Sequence, residues 1–287
     1  MDMDVSLMSG AGNTFVVLDN RKYHLSEQEG SELAQKLCPA STNLPRTEGL
    51  ILVEEASAES GLHFVMRFFN PDGTFGAMCG NGGRCAVHFA EQHGFFTSSR
   101  TPNIWFAASD IKYQAEIHPI RASVRLYFPE PEEIVFPMLL RLDNDVKITA
   151  GYVNVGSDHA VIWFPEVGGV MQSGFNGFDI AQWGAAVRHN NAFPRGANAN
   201  FYTIVGEQTM RLRTFERGVE AETGACGTGA ISTAIIAHLR HEMLPPIHII
   251  PPSGSELIVN FVLQHDGIEE LSLEGDARVI KSLIVSV

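Results

Sequence analysis

One short motif occurs twice in this chain, and the order of elements around it is doubled as well. Met78-Cys79-Gly80-Asn81-Gly82-Gly83 and Ala225-Cys226-Gly227-Thr228-Gly229-Ala230 share the pattern Cys-Gly-x-Gly followed by a small residue. Each copy opens a predicted helix. In the first half, residues 15–18 read as a short buried strand, and Ser26-x-x-Glu29 is a capping box ahead of Leu33 and Leu37 at helical spacing. Strand-like runs at 50–53 and 64–69 lead into the first motif. After a helix that Gly94 ends, further runs lie at 104–107, 113–117 and 124–128. The second half repeats this order, with strand-like runs at 148–155 and 160–164 and a helix over 179–189. Runs at 201–205 and 210–215 precede the second motif, and others at 247–250, 257–262 and 271–273 follow it.

The spacing is doubled too: 67 residues separate Gly12 from Cys79, and 70 separate Gly156 from Cys226. A repeat of this length predicts two similar domains, not a solenoid. The expected division is 1–128 and 134–276, with the Pro- and Glu-rich stretch 129–133 as linker. The run 279–287 has no counterpart in the second half's count. It reads as a strand returning to complete the first sheet, so 277–287 is assigned to the first domain. The helix over 231–239 carries few charges and is apolar most of the way round, which predicts burial.

Composition narrows the function. A length of 287 residues suits one large domain or two ordinary ones, and 45% hydrophobic with 18% charged residues is globular. A formal charge of −13 argues against nucleic-acid or anionic-membrane partners. The apolar stretch 134–142 contains Pro137 and Arg141 and is too short to span a bilayer. The acidic opening Met-Asp-Met-Asp is unlike a signal peptide. Four cysteines in a chain this long are no disulfide framework and suit a reducing, cytoplasmic setting. Their spacing matches no zinc site, so no metal is expected. Cys38 and Cys85 lack the motif context and read as structural.

A thiol becomes a base only as thiolate, and a helix N-terminus lowers its ordinary pKa of about 8.5. The same N-terminus offers backbone N–H groups and a positive dipole end to an anion, with glycines admitting close approach. Two such motifs could hold one carboxylate between two helix ends, with a sulfur on each side of an α-carbon. Asn70 lies nine residues before Cys79, and Arg217 nine before Cys226. Glu216-Arg217 ends a strand, and His159 follows Gly156-Ser157-Asp158 just before another.

Taken together, the blocks 10–15, 70–73, 78–85, 156–159, 197–201, 216–218 and 222–230 resemble the diaminopimelate epimerases, cofactor-independent amino-acid racemases, over nearly the whole chain. The resemblance implies an α/β (α+β) fold of two pseudo-symmetric domains. Each is a curled sheet around a central helix, with the active site in the cleft between them. It implies neither pyridoxal phosphate nor a metal, a small amino-acid substrate, and catalytic Cys79 and Cys226 exchanging the roles of base and acid. Backbone amides at Gly80, Asn81, Gly227 and Thr228 would bind the α-carboxylate, and Asn13, Asn70, Asn198 and Arg217 the far end of the substrate. Ser157 would donate a hydrogen bond, and His159 and Glu216 would support the thiols. The assembly is left open, a homodimer included.

Two departures bear on the substrate. The family's Gly-Asn-Pro-His is Gly-Ser-Asp-His here, and one extra residue lies within 219–222. Asp158 therefore opens a rival expectation, a cationic side chain, as in a histidine-type racemase, with a proline-type racemase as a further relative. A thiol–disulfide redox protein and a non-catalytic amino-acid binding protein are the rivals from other classes.

Overall fold

A computed structural model describes residues 1–41, 44–76, 78–97, 102–118, 120–142, 146–167, 174–264 and 267–287. The chain first forms β1 (Asp2–Gly10), β2 (Asn13–Asp19), α1 (Glu27–Leu37), β3 (Leu50–Glu54), β4 (Phe64–Phe69), α2 (Gly80–Gln92), β5 (Ile104–Ala108), β6 (Ile111–His118) and β7 (Ser123–Tyr127). It continues through β8 (Glu133–Arg141), β9 (Lys147–Asn154), β10 (Asp158–Trp163), the short α3 (Phe164–Val167), α4 (Ile180–Arg188), β11 (Asn198–Gly206) and β12 (Thr209–Glu216). Last come β13 (Ala221–Glu222), α5 (Gly227–His241), β14 (Ile247–Ile250), β15 (Leu257–Gln264), β16 (Gly267–Asp276) and β17 (Arg278–Ser286). Two compact units result: Met1–Tyr127 with Glu274–Val287, and Phe128–Leu273.

The first unit's sheet runs β17–β1–β2–β3–β4–β5–β6–β7. Pairing is antiparallel except for the parallel pairs β2/β3 and β4/β5. The second unit runs β8–β9–β10–β11–β12–β14–β15, antiparallel except for β10/β11 and β12/β14. Over the six pairs from β17/β1 to β5/β6 and from β8/β9 to β14/β15 the succession of directions is the same, so the duplicated order of the sequence is a duplicated sheet. In this alignment β17 corresponds to β8. The expectation that the last strand has no counterpart is thus corrected. Its partner begins at Glu133, which pairs with Asn154, where the sequence reading placed the linker's end. Pro137 concealed it: the register with β9 shifts between Val135 and Met138, where an edge strand accommodates a proline.

Each sheet curls around one helix. In the first unit α2 touches β1, β2, β3, β4 and β7. Strands about 4.8 Å apart put β1 and β7 far wider apart in a flat sheet than one helix of about 10 Å can bridge, so the sheet must bend. In the second unit α5 touches β9, β10, β11, β12 and β15. Its residues Ala230–Ala237 are all buried, as its composition predicts. The other helices cover the outer faces. α1 starts on a complete capping box, with Ser26 N donating to Glu29 Oε2 at 2.8 Å, and joins Leu33, Ala34 and Leu37 to a cluster with Val16, Leu18, Leu50 and Phe69. α4 does the same with Ile180 and Val187 against Phe201 and Phe215. Among the described residues, no helix is long and apolar enough to cross a membrane.

Candidate active site

Both motif cysteines are N-caps. Cys79 caps α2 with φ −98° and ψ 119°, and Cys226 caps α5 with φ −114° and ψ 112°. Neither side chain makes a capping bond. A sulfur is a weak acceptor, so each thiol stands at the positive end of its helix without serving as the cap that Ser or Asp would provide. All four cysteines are thiols, none in a disulfide. Burial raises the pKa of Cys38 to about 11 and drives that of Cys85 up as well, which keeps both protonated.

In the first unit, Gly10 at the end of β1 lies against the first turn of α2. A Cβ at Gly10 would sit 2.5 Å from the Asn81 carbonyl oxygen. Asn81 is buried, and its Oδ1 accepts from Arg84 Nη2 at 2.7 Å. Arg84 is fully buried and also reaches the Gly80 and Asp276 carbonyls, each at 3.4 Å. Burial lowers its pKa, opposed by the charge of Asp276. Asp276 Oδ1 in turn accepts from Ala11 N at 2.8 Å, tying the β1–β2 turn to the same network. Asn13 opens β2, and Asn70, just after β4, donates from Nδ2 to Thr74 Oγ1 at 2.9 Å.

In the second unit the sheet register gathers the polar residues. His159 lies opposite Asn198, and Ala199 opposite Phe215, so the ends of β10, β11 and β12 bring His159, Asn198 and Glu216 together. His159 has no exposure; burial first, then the Arg217 charge, lower its pKa to about 3. Asn200 Nδ2 faces the carbonyls of Ala160 and Asn198 and donates to His159 Nδ1 at 3.1 Å. The neutral imidazole therefore carries its proton on Nε2, which lies 2.9 Å from both Ser157 Oγ and Thr228 Oγ1. Thr228 Oγ1 is 3.7 Å from Cys226 Sγ. Glu216 accepts a short hydrogen bond from the Thr223 hydroxyl. Burial raises the Cys226 pKa well above its ordinary value and the Glu216 charge adds to this, against the Gly229 N–H and the Thr228 hydroxyl. Cys226 is thus a thiol at neutral pH, able to give a proton.

Arg217 follows β12. Its backbone N donates to Asn198 Oδ1 at 2.8 Å, and Asn198 Nδ2 donates to the Asp158 carbonyl at 3.0 Å. Both ends of the Asn198 amide are therefore engaged within the second unit. The Asp158 carboxylate accepts from Tyr152 at 2.6 Å, Arg195 at 2.7 Å and Arg217 at 3.0 Å. Burial would raise its pKa, but the Arg195, Tyr152 and Arg217 bonds outweigh it and bring it to about 2. The structure thus gathers His159, Ser157, Asn198, Glu216, Arg217, Cys226, Gly227 and Thr228 in one unit, and Cys79, Gly80, Asn81, Asn13 and Asn70 in the other. Sequence reasoning missed Arg84, Asn200, Thr223, Tyr152 and Arg195. Arg84, Asn200 and Thr223 lay inside blocks that the resemblance marked, without a role assigned; Tyr152 and Arg195 lay outside them.

The comparisons with known proteins agree with this geometry. A family model described as diaminopimelate epimerase matches residues 5–114 and 151–277, which include both motifs. The diaminopimelate epimerase of Chlorobaculum tepidum is 34% identical over 95% of this chain and 97% of its own length. That of Aquifex aeolicus is 32% identical over 95% and 94%. Among solved structures, a hydroxyproline epimerase from Agrobacterium vitis superposes with a TM-score of 0.71, covering 100% of this chain and 93% of that one at 13% identity, a likeness of fold. With both cysteines at matched helix starts of a duplicated sheet and the family model spanning both units, the chain belongs to the diaminopimelate epimerase family.

Proposed function

We propose that this isomerase converts LL-2,6-diaminopimelate to the meso form, which serves lysine and peptidoglycan synthesis, by a two-base exchange at one α-carbon. The observation that carries the reading is the pair of N-cap cysteines on the two central helices, in a chain aligned end to end with diaminopimelate epimerases. The Cys79 thiolate takes the α-proton from one face, and the Cys226 thiol returns a proton to the other. The electron pair of the broken C–H bond is held as a carbanion in between, and the two sulfurs end with their protonation states exchanged. Burial and the Glu216 charge, which keep Cys226 protonated, support its role as acid in this direction. First-turn N–H groups at Gly80, Asn81, Gly227 and Thr228 receive the α-carboxylate, where two helix dipoles offset the charge developing on the carbanion. Asn13, Asn70, the second N–H of the Asn198 amide and Arg217 receive the distal end, and Ser157, held against His159 and Thr228, steadies the second thiol's surroundings. The reaction belongs to the cytoplasm, where thiols stay reduced.

A cationic side chain as substrate has less support. It would need the Asp158 carboxylate, which Tyr152, Arg195 and Arg217 already occupy. The test is α-deuterium uptake from D2O with LL-diaminopimelate and a panel of L-amino acids, histidine and proline included. Exchange with diaminopimelate alone is expected. Faster exchange with a monocarboxylic amino acid would overturn the substrate assignment, and a disulfide-dependent redox turnover without exchange would overturn the reaction.

A further inference from the structure

We propose that Asp158 and Arg195 form a charge-balanced clamp that aims Arg217 at a carboxylate on the substrate's distal end, making Asp158 a specificity-determining positioning residue. This rests on the reading that Arg217 meets the distal group.

Arg217 is held at head and root by the same residue. At the head, Nη1 donates to Asp158 Oδ2 at 3.0 Å and to the carbonyls of Arg195 at 3.2 Å and Gly196 at 3.3 Å. At the root, its backbone N reaches Asn198 Oδ1, and the other end of that amide donates to the Asp158 carbonyl. All the retaining bonds of the guanidinium fall on Nη1. Nε and Nη2 donate to no described residue, and the side chain is 34% exposed. The Nε–Nη2 edge is one of the two edges on which a guanidinium grips a carboxylate with parallel hydrogen bonds. Asp158 thus consumes one nitrogen and leaves a complete bidentate edge presented.

An aspartate beside Arg217 would by itself cancel the charge that attracts an anion. Arg195 prevents this. Its Nη2 and Nε grip Asp158 at 2.7 and 3.3 Å from the exposed side, so two guanidiniums share one carboxylate and the cluster keeps a net positive charge. Tyr152 donates to the same carboxylate and fixes its orientation. Asp158 itself is 8% exposed and already bonded to three side chains, so it is spared as a ligand and serves as the anchor.

The test is a double-substitution cycle with LL-diaminopimelate, reading KM and kcat separately. Asp158→Asn keeps the shape and removes the charge. It should raise KM about tenfold, the scale of one charge-assisted hydrogen bond, with a smaller change in kcat. In an Arg217→Gln background the same substitution should change KM less than about twofold, because the residue it positions is gone. Arg195→Gln, on an exposed side chain, should raise KM about threefold by removing the compensating charge. If Arg217→Gln raises KM and Asp158→Asn does not, or if their effects simply add, the clamp is overturned while the proposed function stands. If Arg217→Gln itself leaves KM unchanged, the reading of the distal site fails first. Should Asp158→Asn not fold, Arg195→Gln decides: an unchanged KM overturns the clamp.

Discussion

The Thr228 hydroxyl lies 2.9 Å from Nε2 of the buried His159. This contact joins the first turn of α5 to the start of strand β10. It also sets a direction of donation: Asn200 occupies Nδ1, so Nε2–H donates toward the hydroxyls of Ser157 and Thr228. Ser157 Oγ also donates to Thr228 Oγ1, at 3.3 Å, so the Thr228 proton is left for the Cys226 sulfur at 3.7 Å, where it favours the thiolate that forms once Cys226 has given up its proton.

His159 makes stability depend on pH in a defined window. The unfolded chain takes up a proton on this imidazole as pH falls below 6.5, and the folded chain only near pH 3. The contribution of the neutral form is complete above pH 6.5 and is lost progressively as pH falls toward 3. At about 1.4 kcal/mol per pH unit, the loss between pH 6.5 and pH 4.5 comes to about 3 kcal/mol. Urea unfolding at several pH values in this range should show a steeper fall for the wild type than for His159→Asn. Equal slopes would assign the acid sensitivity to other groups.

Removing the Glu216 charge should make Cys226 more acidic. Glu216→Gln takes away the second-largest influence raising the thiol, after burial itself. Alkylation of Cys226 by iodoacetamide in a Cys79→Ala background, followed by mass spectrometry against pH, should then begin at lower pH. A profile unmoved, or moved upward, would contradict the placement of this charge.

Each motif cysteine should be indispensable and the other two should not. Cys79→Ala and Cys226→Ala are each expected to lower kcat by about a thousandfold or more, since a base or acid is lost outright. Cys38→Ala should keep kcat within about twofold and lose about 1–2 kcal/mol of stability from the cavity it leaves in the α1 cluster. Polarimetry of the diaminopimelate reaction and thermal unfolding read the two effects separately.

Gly229 is required by close approach. A Cβ there would meet Asn200 Oδ1 at 2.5 Å and both Cβ and Sγ of Cys226 at 3.2 Å. Gly229→Ala should cost about 1–3 kcal/mol by overpacking and lower kcat more than tenfold by displacing the sulfur. Gly267→Ala, with no atom of a described residue within 4 Å of the new methyl, is the control expected to be silent.

What could be read from the sequence was what local spacing encodes. The capping box of α1 needs only four adjacent residues, and the two thiols declare themselves because Cys-Gly-x-Gly stands at matched points of a repeat. The burial of α5 follows from its composition alone. β8 was hidden because Pro137 and a bulge break the alternation that marks a strand. The partners of Asp158 were hidden for another reason: Arg195 lies 37 positions away in sequence, and only the parallel pairing of β10 with β11 brings it near. An aspartate read alone suggested a free anion for a cationic substrate; its neighbours make it a tether. Arg84 likewise looks like any helix residue until α2 is seen wrapped on all sides.

The pairing of β17 with β1 has a consequence for how the polypeptide comes into being. Asp2 lies opposite Ser286, and the terminal ammonium of Met1 donates to the Val287 carbonyl at 2.7 Å. β1 is synthesised long before β17 and must wait for it, while Phe128–Leu273, uninterrupted in sequence, can fold between them. The unit that holds β1 is thus completed after the unit that follows it in sequence. Until the nine-residue β17 arrives, β1 is an unprotected edge open to the wrong neighbour.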